Sequence, residues 1–189
     1  FVSHIHPDHF DQAAAGKLPR DIPVFCQPGD ERLLKKQGLS NVSPVAGSIS
    51  WEGISIFRVE GRHGEGKMQE MMGGVSGFVL QSETDPTVYW VGDSIFCPEV
   101  EQNLEQFRPE VVVTHSGGAA FPGQKPIIMD GEQTLKVLQT APWATVVAIH
   151  MQALDHCWLS REGLRDMAQE EGIPASRLFI PQDGETISL

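Results

Sequence analysis

Five apolar runs in this 189-residue chain each lead, within a few residues, into a histidine or an aspartate, and that placement constrains the fold more than any other feature. Phe1-Val2-Ser3 precedes His4, and Ile54 to Val59 leads to Gly61-Arg62-His63-Gly64. Thr87 to Val91 runs into Gly92-Asp93-Ser94, Val111 to Thr114 ends at His115, and Ala144 to Ile149 ends at His150. Short β-branched runs bounded by turn residues read as strands. Between them lie helical signals: alanine-rich Asp11 to Leu18, Asp30 to Gln37 stopped by Gly38, Glu99 to Phe107, Asp130 to Thr140 with Asp130 as N-cap, and a helix capped by Ser160. Alternating strands and helices predict an α/β fold. Polar residues gathered at C-terminal strand ends stand where an open α/β sheet offers a ligand site.

Further strands are expected at Pro23 to Cys26, weakly at Val42 to Val45, and near the C-terminus at Leu178 to Ile180 and Thr186 to Ser188. Ser76 to Gln81 and Thr87 to Val91 predict a hairpin turning at Glu83-Thr84-Asp85-Pro86. Gly64 to Gly74, with three methionines and four glycines, reads as a mobile loop. No repeat or linker interrupts the chain, so one domain over residues 1–189 is expected.

Three of the seven histidines fall in His4-Ile5-His6-Pro7-Asp8-His9, with a carboxylate among them. Four ligating side chains packed this tightly cannot all serve one tetrahedral ion, but they can serve two ions side by side. Imidazole and carboxylate donors suit Zn²⁺ and, less selectively, Mn²⁺ or Fe²⁺.

The formal net charge of −11 and the scattered basic residues argue against a nucleic-acid partner. Three cysteines, Cys26, Cys97 and Cys157, form no CxxC pair, which favours reduced thiols in a cytoplasmic protein over a disulfide framework. No apolar run is long enough for a membrane span, so the expected partner is a small-molecule substrate.

The HxHxDH pattern at a strand end, followed by separate His, Asp and His residues at later strand ends, resembles the metallo-β-lactamase-fold hydrolase superfamily. Gly61-Arg62-His63-Gly64, Tyr89-Trp90-Val91-Gly92-Asp93-Ser94 and Ala148-Ile149-His150-Met151 are most similar to its branch of ascorbate-6-phosphate lactonase-like proteins. The resemblance implies a four-layer αββα sandwich. Because members carry several strands before HxHxDH and only three residues precede it here, the N-terminal strands are expected to be lacking.

It also implies a dinuclear metal site, most readily of zinc. His4, His6 and His63 would bind one ion, Asp8, His9 and His150 the other, and Asp93 would bridge them. A hydroxide shared by the metals would attack a small ester, lactone, amide or phosphoester, with Asp8 orienting it or taking its proton. His150 is preferred over His115 and His156 as the last ligand because it stands directly at the end of a long apolar strand. His115 is then expected to line the pocket or bind substrate, and His156 to be a proton donor, a partner of the ligands or only part of a helix start. Arg62, Glu65 and Lys67 are candidate contacts for an anionic group, and Ser116-Gly117-Gly118 candidate oxyanion donors. Iron-dependent oxidoreductase chemistry and a non-catalytic metal-binding domain are the competing readings.

Overall fold

The computed structural model describes residues 1–189. Val24–Cys26 (β1) and Val42–Pro44 (β2) pair in parallel as a small sheet. Seven strands form the larger sheet in the order of the chain: Ser48–Trp51 (β3), Ile54–Glu60 (β4), Ser76–Gln81 (β5), Val88–Trp90 (β6), Val111–His115 (β7), Thr145–Ile149 (β8) and Leu178–Phe179 (β9). Neighbours from β3 to β6 are antiparallel, and from β6 to β9 they are parallel. Two antiparallel steps return β4 to the direction of β6, and β7 and β8 share it. The C-terminal ends of β4, β6, β7 and β8 therefore lie along one edge, which carries His63, Asp93, His115 and His150 to the same end of the sheet.

Strand alternation separates the two faces of this sheet. Val59, Val79, Tyr89, Val112 and Val146 pack against the helices Pro98–Phe107 (α4), Gly131–Thr140 (α5) and Arg161–Glu170 (α6). Ile56 and Phe78 point the opposite way and meet Phe25 of β1. Val24 and Cys26, flanking Phe25, face outward against Ala14 and Ala15 of Gln12–Lys17 (α1) and Leu34 of Glu31–Lys36 (α2). Helices, small sheet, large sheet and helices make the four expected layers, with two strands in the smaller sheet. The two expected caps form, Asp130 accepting from the Gln133 N–H and Ser160 from that of Gly163, and Asp11 adds a third by accepting from that of Ala14.

Four details differ from the sequence-based expectation. The stretch read as a mobile loop contains a helix, Lys67–Met72 (α3). Met, Gln and Glu favour helix, and the half-buried Met68 and Met72 pack against Ala119, Ile127 and Ile128. Strand β3 was not anticipated, because Ser48-Ile49-Ser50-Trp51 has too little apolar pattern and gains its conformation by pairing with β4. Phe1 to Ser3 contributes a single bridge, Val2 to Cys26, rather than a strand. Thr186 to Ser188 forms no strand, and the sheet ends at β9.

Candidate metal centre

The hexapeptide leaves the Val2 bridge and turns back on itself, with the His9 and Phe10 amides donating to the His6 carbonyl at 3.0 and 3.1 Å. This tight turn points His4, His6, Asp8 and His9 into one space, which the sheet edge completes. His63 follows β4 by three residues, and its Nδ1 lies 2.9 Å from the Ile127 carbonyl. A carbonyl only accepts, so Nδ1 carries the proton and the Nε2 lone pair faces the site. Asp93 follows Gly92, whose φ of 69° suits glycine and whose missing Cβ would otherwise press on the Ser76 carbonyl at 2.9 Å. His150 has a φ of 58° without being glycine. A left-handed residue at a strand end costs about 1–2 kcal/mol and persists where the surroundings fix the side chain's aim.

Two groups of donors result. The ligating atoms of His4, His6 and His63 lie within 4.8 Å of one another, as do those of His9, Asp93, His115 and His150. His4 Nε2 and His6 Nδ1 are 2.8 Å apart. Asp93 Oδ2 stands 3.0 Å from His9 Nε2, 3.6 Å from His63 Nε2 and 3.9 Å from His4 Nε2, so one oxygen faces both groups. Asp8 Oδ2 is 3.3 Å from His150 Nε2 and 3.5 Å from His9 Nε2, which places it beside the second group. All seven residues singled out as ligands therefore converge, and His115 joins them.

Burial lowers the pKa of His4 to about 3, against the pull of the Asp93 charge. Burial likewise lowers His63 and His115. Burial opposes ionisation of Asp93, but hydrogen bonds from His115 and His9 outweigh it and hold the carboxyl well below the usual range. Asp8 is lowered to about 2, chiefly by its hydrogen bond to His150. Burial pulls His150 down, yet the Asp8 carboxylate leads the opposing effects and lifts it to about 10. The neutral, buried imidazoles of His4 and His63, two ionised carboxylates and no thiolate among the donors fit a pair of borderline divalent cations.

The remaining candidates divide. His156 stacks on Phe121 at a centroid distance of 5.8 Å and lines the cavity over the site. Arg62 is committed to Glu99, with Nη2 to Oε1 at 2.6 Å, and Glu65 pairs with Lys125. Neither these two nor Lys67 lines that cavity. The Ser116 and Gly118 amides donate to the Ile149 and Met129 carbonyls, so they are not free for an oxyanion. Trp90, to which the sequence reading gave no role, donates its indole N–H to His115 Nε2 at 2.9 Å. The apolar cavity wall of Met72, Phe121, Ile127, Ile128 and Leu154 was likewise not anticipated, because a wall assembled from the end of α3 and separate loops leaves no spacing signal.

A layered α/β scaffold with such a donor set at the end of its sheet defines a metal-dependent hydrolase. The β-lactamase superfamily domain matches residues 1–151, and the chain belongs to that superfamily. UPF0173 protein YddR of Bacillus subtilis (strain 168) is 33% identical over 98% of this chain and 73% of its own length. A crystal structure from Veillonella parvula DSM 2008, described as a possible metal-dependent hydrolase, superposes with a TM-score of 0.95 at 31% identity, over 100% of this chain and 74% of that one. An isothiocyanate hydrolase from Delia radicum gut bacteria superposes with a TM-score of 0.93 at 33% identity, over 99% of this chain and 74% of that one.

Proposed function

We propose that this hydrolase holds two divalent cations, most readily Zn²⁺ with Mn²⁺ or Fe²⁺ as alternatives, and cleaves a small molecule at an electrophilic carbon. His4, His6 and His63 would hold one cation, and Asp8, His9 and His150 the other, with Asp93 between them. The observation that carries this reading is the single oxygen, Asp93 Oδ2, facing both donor groups within 3.9 Å. Bound there, such ions bring the pKa of a water toward neutrality and polarise the substrate atom that takes up charge.

The chain's own residues supply the rest. Asp8, about a quarter exposed and kept ionised beside His150, faces the cavity and can accept a proton at Oδ2. Met72, Phe121, Ile127, Ile128 and Leu154 give a wall for an apolar substituent. The cavity volume of about 250 Å³ suits a small substrate.

Isothiocyanates are the first class to test, because a relative of that activity is 33% identical across 99% of the chain. Water adds across R–N=C=S at the central carbon, and the products R–NH₂ and carbonyl sulfide account for every atom. Lactones, esters, amides and phosphoesters form the comparison panel. The net charge of −11 supports small molecules over nucleic acid, and the absence of any disulfide among the three cysteines suits a reducing cytoplasm.

The test is metal analysis of protein purified without added metal, together with amine release by wild type, Asp8→Ala and Asp93→Asn. Two ions per chain and loss of turnover in both variants are expected. Unchanged turnover in the variants refutes the assignment, and near-stoichiometric iron with a visible absorption band favours oxidoreductase chemistry instead.

A further inference from the structure

The donor group of His9, Asp93, His115 and His150 contains one imidazole whose nitrogens are both already engaged. His115 is 4% exposed and sits at the last position of β7. Its Nε2 lies 2.9 Å from Trp90 Nε1, and its Nδ1 lies 2.5 Å from Asp93 Oδ1. An indole N–H donates and never accepts, so Nε2 must present its lone pair to Trp90. The single proton of the neutral ring is then on Nδ1 and is donated to Asp93. An imidazolium would set two N–H groups against each other at the Trp90 contact.

Trp90 is held in turn. Its ring stacks on Phe78 at 6.0 Å with 20° between planes, inside the layer that joins the two sheets. The His115 ring lies nearly parallel to that of His9, at 5.8 Å and 7°. Neither ring can turn without breaking this packing.

We propose that His115 is not a metal ligand but, with Trp90, forms a hydrogen-bonded pair that positions Asp93, engaging Oδ1 so that Oδ2 faces both cation positions. This rests on the dinuclear reading for what Oδ2 does, while the hydrogen-bond pattern stands without it. The two carboxylate oxygens are thereby divided. Oδ1 belongs to the scaffold and Oδ2 to the site. Partners of this kind, placed behind a ligand, typically account for about 10–100-fold in metal affinity.

Two measurements on the full chain test the pair. Long-range ¹H–¹⁵N spectra of metal-free wild type report the His115 tautomer directly. A protonated Nδ1 and a bare Nε2 are expected, with a weakened preference in Trp90→Phe, which keeps an aromatic ring but removes the donor. A protonated Nε2 in wild type overturns the proposal without touching the dinuclear reading.

Titration with Co²⁺, followed by its visible bands and by bound metal per chain, provides the second measurement. His115→Ala should still bind two ions at saturation, the weaker of them about 10–100-fold less tightly. His115→Asn, which restores an N–H near the position of Nδ1, should recover part of that loss. Loss of one ion at saturation in His115→Ala shows that His115 ligates, and unchanged affinity shows that it positions nothing; either result refutes the proposal. Wild type binding fewer than two ions would instead overturn the dinuclear reading and leave the tautomer result to decide the pair.

Discussion

Acidification of the metal-free protein gives the most quantitative test of how the site is built. His4 is 2% exposed, and burial lowers its pKa from 6.5 to about 3. The unfolded chain therefore binds this proton more readily than the folded one, and stability falls as pH drops from 6.5 toward 3. Each pKa unit corresponds to about 1.4 kcal/mol. His4 alone then costs about 2 kcal/mol at pH 5 and about 4 kcal/mol by pH 3, relative to the fully neutral ring.

His63 and His115 are shifted in the same direction and steepen the loss. His150, raised to about 10, acts in a different window: its stabilisation is complete below 6.5 and disappears as pH rises through 10. Asp8, lowered to about 2, loses its contribution only below its ordinary value of 3.8. Asp8 is silent between pH 7 and 5, while His150 gains about 0.8 kcal/mol as the unfolded ring becomes protonated and so offsets part of the His4 effect. Urea unfolding of chelator-treated protein should show a drop of at least about 1 kcal/mol over that interval, the His4 loss less the His150 gain, with His63 and His115 adding to it, against a total stability of about 5–15 kcal/mol. In His4→Gln the drop should shrink by about 2 kcal/mol. Equal stability of wild type at both pH values, or an equal drop in the variant, would refute the reasoning.

Two further outcomes follow from the same geometry. In Gly117→Ala the new Cβ would stand 2.4 Å from the His150 carbonyl oxygen and 2.9 Å from Cys157 Sγ, so the β8 end must shift; a loss of about 1–3 kcal/mol in thermal or urea unfolding, with weaker binding of the second ion in metal titrations, is expected. Removing bound metal with a chelator should lower the unfolding free energy by about 4 kcal/mol per ion present at 1,000 times its Kd, and calorimetry with and without restored Zn²⁺ checks it; an unchanged midpoint counts against a metal site.

Much of the site was legible because its chemistry is local or repeats a topological rule. His4, His6, Asp8 and His9 converge through one tight turn, so their spacing alone announces a ligand cluster. His63, Asp93 and His150 were singled out because each stands at the end of an apolar strand, and four strands sharing one direction bring such ends together. Helix α3 was misread because its glycines suggested a loop, while what holds it is the packing of the half-buried Met68 and Met72 against residues more than 45 positions away.

The sequence by itself determined the donor inventory and the edge of the sheet on which it would gather, because strand-end position and metal preference are properties of residues and their near neighbours. Only the tertiary structure decided how the donors are used. That Ile127 accepts the His63 proton, that Trp90 fixes His115, and that Asp93 turns one oxygen outward and one inward all depend on contacts across 64, 25 and 22 residues of chain. Hydrogen-bond direction is set by which group arrives opposite, and that is known only once the strands have packed.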